Sequence, residues 1–180
     1  WNAGRTQLVA PATNGTPQEA AAWVAYANGN AALYGTANDI VIGVDALGND
    51  WRTVGFWAKL RSSTQAQYQS WAGGSYDATF NFLAINRPTP VGIKYWEIGN
   101  ETFGTGYYDG SDGYSASYAV PYDGTPRLGH TNLSPAFYGG QVKAFAQMMK
   151  AVDPTIKIGA VVSTPHGELK KTFSFSPLPR

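Results

Sequence analysis

The stretch KYWEIGNETFG, Lys94–Gly104, runs from a β-branched and aromatic segment into Gly99 and then sets an amide, Asn100, beside an acid, Glu101. Pro88 and Pro90 stop anything helical just upstream, and the residue types of GIKYWEIG favour a pleated, packed strand. Beyond Gly104 the chain turns to about thirty residues rich in Gly, Tyr, Asp and Pro, a long connection for a compact domain and therefore one expected to carry function. Ser134 and Pro135 then open a helical pattern in which Tyr138, Val142, Phe145, Met149 and Val152 recur at steps of four and three. Asp153 and Pro154 end it, and TIKIGAVV, Thr155–Val162, reads as a fully apolar strand buried on both faces of a parallel sheet. Strand, helix and strand make a βαβ unit with a right-handed connection. The fold class read from this is α/β.

Upstream, TPQEAAAWVAYAN opens with Thr16 as N-cap, Pro17 at the first helical position and Glu19 three residues after the cap. Ala20, Trp23, Val24 and Ala27 share one face of that helix. IVIGV, Ile40–Val44, is compatible with a short strand. DWRTVGFWAKLRSS, Asp50–Ser63, reads as a helix with Val54, Trp57, Ala58 and Arg61 at helical spacing. The Gln-rich run from Thr64 to Gly74 shows no clear period, and no internal repeat is visible.

Composition narrows the partners. The chain has 180 residues, the size of one domain, enough to bury roughly 70% of the surface that the unfolded chain exposes. Charged and aromatic residues each make up 14%, with 6 Trp and 11 Tyr, which suits a surface that meets something neutral and ring-shaped. A net charge of +1 argues against nucleic acid and acidic polymers. The absence of Cys excludes disulfides and thiolate metal sites. No apolar run approaches the roughly 20 residues of a membrane span. The start at Trp1 reads as that of a processed form or a fragment.

No cofactor is expected. His130 and His166 lie far apart and carry no clustered ligand spacing, GTGYYDG lacks the strand-turn-helix context of a dinucleotide loop, and no Gly-x-Ser-x-Gly turn occurs. Glu101, by contrast, sits just past a strand of an α/β unit, where such folds place their reacting groups. Among Trp96, Phe103, Tyr107 and Tyr108 its carboxyl would be partly desolvated, which favours the neutral acid that can protonate a leaving group. Asn100 offers a donor and an acceptor for a substrate hydroxyl. The same position also suits a carboxylate that caps the strand end or pairs with a loop arginine. Loop aromatics, notably Trp51, Trp71, Tyr107, Tyr108, Tyr114 and Tyr118, suit either sugar stacking or packing.

KYWEIGNE resembles the strand-four motif of clan A glycoside hydrolases, whose (β/α)8 barrel carries the acid/base Glu directly after an Asn. NGTPQEAAAWVAYANG is similar to the segment after strand three of family 51 α-L-arabinofuranosidases and related bacterial members, and FYGGQVKAFAQMMKAVDPTIKIGAV to the helix and strand that follow. The resemblance covers about Thr6 to Val162. It implies a partial (β/α)8 TIM barrel, about strands three to five with strand three near Gln7–Ala10, and long loop insertions. It also implies Glu101 as general acid/base, Asn100 as ligand of the sugar 2-hydroxyl, and a carbohydrate substrate of the plant-polysaccharide or arabinose-bearing kind. Trp96 and Glu97 match as barrel packing and an interior polar partner. Asp50, Trp51, Tyr107 and Tyr108 are assigned to the borders of the sugar site.

The departures are as informative. A whole barrel takes about 250 residues, and a retaining glycosidase needs a second carboxyl about 5 to 5.5 Å from the first. The family's nucleophile lies on strand seven, which this chain does not reach. Glu97 is on the order of 13 Å back along an extended strand, too far to serve. Asp45 and Glu168 are the other candidates by type. Residues 1–162 are therefore expected to form the partial barrel and 163–180 an irregular tail. The exposed edges of such a partial barrel point to pairing with a second copy or to rearrangement. Three Asn-x-Ser/Thr sequons occur, at Asn14, Asn100 and Asn132, and a glycan on Asn100 would plug the site, so an extracellular bacterial setting without that modification is expected. A non-catalytic carbohydrate-binding domain stays open as the alternative.

Overall fold

The computed structural model describes residues 16–98 and 135–160, with side chains of the last segment from Gly139 onward. These fall into two compact units, one of residues 16–94 and 143–156, the other of residues 95–98, 135–142 and 157–160.

The first unit is built on α1 (Pro17–Asn28), a 3-10 turn at Ala31–Leu33, α2 (Val54–Ser62) and α3 (Gln65–Ala72), followed by a 3-10 segment at Ala78–Leu83. Helix α1 begins where the sequence places it. The Thr16 hydroxyl accepts the Glu19 N–H at 3.2 Å, and Pro17 stands in the first turn, where its missing N–H costs nothing. Ala20, Val24 and Ala27 are buried as expected, but Trp23 is 38% exposed. The buried stripe of α1 is instead lined by alanines, a surface flat enough for α2 to pack closely, and an indole there would hold the helices apart.

Helix α2 starts later than the sequence pattern suggested, because Thr53 acts as its N-cap. Val54, Trp57, Ala58 and Arg61 are all buried. The run that showed no period forms α3: Thr64 and Gln67 close a reciprocal capping box, and Tyr68 and Ala72 are its buried residues. Ile40–Val44 is not a regular strand. It forms one side of an irregular hairpin with two isolated antiparallel bridges, Val41 to Thr53 and Val44 to Asp50, and Val41 and Val44 stay exposed.

Ala21, Ala22, Ala25, Tyr26, Ile42, Phe56, Trp57, Leu60 and Tyr68 belong to one core, with Trp51, Trp71 and Phe80 packed at its border. The rings meet mostly edge to face, Phe56 against Trp57 at 5.4 Å and Trp57 against Phe80 at 5.2 Å, the arrangement that ring quadrupoles favour.

Arg61 is the one fully buried charge of this core among the described residues. Its guanidinium donates to four backbone carbonyls, those of Tyr26, Gly29, Arg87 and Pro88. Two of these lie at the C-terminal end of α1, which has no basic residue in its own last turn, so Arg61 supplies the cation that the negative end of the helix dipole attracts. Burial still pulls its pKa below the usual arginine value.

In the second unit β1 (Tyr95–Ile98) pairs in parallel with β2 (Lys157–Ala160), Trp96 opposite Ile158 and Glu97 opposite Gly159. Helix α4 (Pro135–Val152) lies between them in sequence and ends at Asp153 and Pro154. Val142, Phe145 and Met149 are buried along it. In β1 Trp96 and Ile98 are buried while Tyr95 is exposed. In β2 the expectation of burial on both faces fails: Lys157 and Gly159 are exposed, and the Lys157 ammonium lies 5.7 Å from the centre of the exposed Tyr95 ring, which keeps that face in water. Among the described residues the sheet has two strands and no closed barrel is seen. No helix of these residues is long and apolar enough to cross a membrane. The expected strand near Gln7–Ala10, the long connection after Gly99 and the tail from Ser163 lie outside them.

Candidate functional site

Glu101, Asn100, Tyr107 and Tyr108 lie outside the described residues, as do Tyr114, Tyr118, His130, His166 and Glu168. What is described is their approach: β1 ends at Ile98, three residues before Glu101 in sequence. Among the described residues no group of His, Cys, Asp or Glu is arranged to hold a metal ion.

Asp50 and Trp51 are both described, on the return arm of the irregular hairpin. At its turn is DALGND, Asp45–Asp50, an Asp ahead of Gly and Asn that folds its side chain back onto the loop. Asp45 Oδ1 accepts the N–H groups of Leu47 and Asn49, each at 2.9 Å. Its Oδ2 accepts from Trp51 Nε1 at 2.7 Å, from the Thr16 hydroxyl at 3.1 Å and from the Asn49 amide at 3.1 Å. Burial alone would raise the carboxyl's pKa. The donors from Trp51, Asn49 and Thr16 outweigh it and hold Asp45 well below the usual carboxylate range. Five donors exhaust its roughly four lone-pair directions. Of the two other candidates for a second carboxylate, Asp45 is thus a structural anion and no free nucleophile.

Trp51 is fixed at both ends, for its carbonyl also accepts the Trp57 indole N–H at 2.7 Å and the two ring systems lie 6.2 Å apart. It is half-buried at the border of the core. Trp71 is likewise held, donating to Ser63 Oγ and meeting Tyr34, Phe56 and Tyr68 edge-on, so packing is its role.

Asp50 is exposed, its Oδ1 accepting the Arg52 N–H at 2.9 Å while its Oδ2 stands 3.5 Å from Arg52 Nη1. Arg52 has a φ of 59°, in the region that favours glycine, and its buried Nε has no hydrogen-bond partner. Sequence reasoning passed over Arg52, since nothing in DWRTV marks a positive φ.

A second carboxyl close to this hairpin, Glu19, is pushed upward in pKa. Burial is the main cause and the Asp45 charge adds to it, against bonds from the Trp23 indole and the Thr16 backbone. Sequence marked Glu19 as the residue three beyond the Thr16 cap but not its proximity to Asp45, which depends on the hairpin folding onto the start of α1.

Compared with family models, with curated proteins and with solved structures, the chain finds no match.

Proposed function

We propose that the chain is the catalytic region of a glycoside hydrolase, an extracellular bacterial enzyme of the retaining kind that acts on plant-type polysaccharide or its arabinose-bearing side chains. The observation that carries this is the parallel pairing of β1 with β2, two strands separated in sequence by a helix, with Asn100 and Glu101 two and three residues past Ile98 in sequence. Carboxyl ends of parallel strands are where α/β folds gather reacting groups. Glu101 protonates the glycosidic oxygen as a carboxylate attacks the anomeric carbon, and afterwards takes a proton from the water that displaces that carboxylate. No nucleophile is identifiable in this sequence, so the attacking carboxylate is one recruited within the chain or from a second copy. Asn100 holds the sugar 2-hydroxyl, and Asp50 and Trp51 serve in saccharide binding. The wider fold is a partial (β/α)8 barrel, whose open edges favour pairing with a second copy.

A second reading, a carbohydrate-binding domain without catalysis, is favoured by one observation: Asp45 is saturated with donors and unsuited to serve as nucleophile. Replacing Glu101 by Gln separates the two. A hydrolase loses turnover of natural glycosides and keeps its affinity for them, whereas a binding domain shows no turnover in either protein.

A further inference from the structure

Two arginines of the first unit differ in what holds them. Arg61 is buried and spends its donors on four carbonyls, as a structural arginine does. Arg52 has neither a carbonyl nor a close carboxylate. Its ion pair with Asp50 spans 3.5 Å, well beyond a charge-assisted hydrogen bond of about 2.8 Å, and its Nε is buried without a partner. The guanidinium carbon lies 5.6 Å from the centre of the Phe56 ring, and the side chain is 31% exposed.

The backbone at Arg52 is strained as well. With φ at 59° it is over-determined by the hairpin: its N–H donates to Asp50 Oδ1, and its carbonyl accepts from Ile42 and Gly43. Glycine would take that conformation with less strain and would leave no orphan Nε. An arginine at this position is thus a cost to folding without a matching gain in the contacts it makes.

We infer that Arg52 and Asp50 form a hydroxyl-binding pair for a neutral sugar, next to Trp51. A hydroxyl oxygen about 2.8 Å from each partner closes a triangle on the 3.5 Å gap, accepting from Arg52 Nη1 and donating to Asp50 Oδ2. Only an amphoteric group does both at once. A ligand carboxylate would meet Asp50, and also Asp77, whose carboxyl feels the Arg52 charge. This inference rests on the carbohydrate reading above and concerns binding alone, independent of Glu101.

Calorimetric titration of the chain with neutral arabino- and xylo-oligosaccharides and with a hexuronic-acid oligosaccharide tests it, using R52G and R52Q. The expected result is binding of a neutral saccharide by the wild type, about tenfold weaker in both variants, with a thermal midpoint of R52G no lower than that of the wild type. R52Q keeps an uncharged hydrogen-bonding side chain at the position, so it reads the loss of the cationic donors even where R52G alters the hairpin. Equal affinity in the wild type and both variants, or a preference for the hexuronate, overturns the Arg52 assignment and leaves the carbohydrate reading standing. Absence of any saccharide binding by the wild type overturns both.

Discussion

Trp51 Nε1 donates to Asp45 Oδ2 at 2.7 Å, and the same oxygen accepts the hydroxyl of Thr16, the N-cap of α1. One carboxylate therefore ties the proposed saccharide-binding hairpin to the start of the first helix. Asp45→Ala should release both, lowering the thermal midpoint and weakening saccharide binding together. Trp51→Phe, which keeps an aromatic ring but removes one of five donors, should lower the midpoint less. Melting curves and titrations of the two variants check the order, and a larger loss in Trp51→Phe would refute it.

Arg61 holds four carbonyls, and its contacts with two of them, those of Tyr26 and Gly29, are buried. Leaving two buried carbonyls unpaired costs about 1 to 3 kcal/mol each, so Arg61→Leu should destabilise the protein by at least about 2 kcal/mol. Arg61→Lys should recover only part, since an ammonium cannot span the same fork of acceptors. Urea unfolding of both variants reads the difference.

Acid should act on two carboxyls in opposite senses. Burial alone would raise the pKa of Asp153, but the Thr155 hydroxyl, the Lys94 ammonium, the Thr155 N–H and the Asn28 amide outweigh it and hold it at about 2, against an ordinary 3.8. Its contribution is present above pH 3.8 and is lost as pH falls toward about 2. Glu19 is raised, so its contribution is present below its ordinary 4.5 and is lost as pH rises through the folded value. Asp153→Asn should be less stable than the wild type at pH 7, with the gap closing in acid. Glu19→Gln, whose amide oxygen can still accept the Thr16 N–H, should be more stable at pH 7, with that gap also closing in acid. Thermal midpoints measured from pH 2 to 7 distinguish these slopes from a uniform shift.

Gly55 sits where a Cβ would strike the backbone of Tyr34 and the carboxylate of Asp39, both already in place around the start of α2. Gly55→Ala should destabilise by about 1 to 3 kcal/mol despite the better helix propensity of Ala, as chemical denaturation would show.

Local chemistry made much of this architecture readable. The Thr16 cap, the Pro17 start, the buried face of α2 and the Asp153–Pro154 stop are all decided within a few residues by hydrogen bonding or ring geometry. The capping box of α3 was equally local, Thr64 with Gln67, but was hidden by a polar run with little apolar period. Trp23 misled because hydrophobicity alone put it inside, whereas the close approach of α2 needed alanines. Asp45 and Arg52 were illegible for a different reason: their roles arise from a hairpin whose two arms and whose contact with α1 are long-range consequences of packing. Glu101 and Asn100 remain readings of the motif that follows β1.

Hydrolysis of natural arabinosides and xylosides by the chain and by its Glu101→Gln variant, with saccharide affinity measured on both, decides whether Glu101 is the acid. A fall of about 100-fold or more in turnover of natural glycosides, with affinity nearly unchanged, is the result this account predicts. Equal turnover in the two proteins would contradict it, and so would saccharide binding by both without hydrolysis by either.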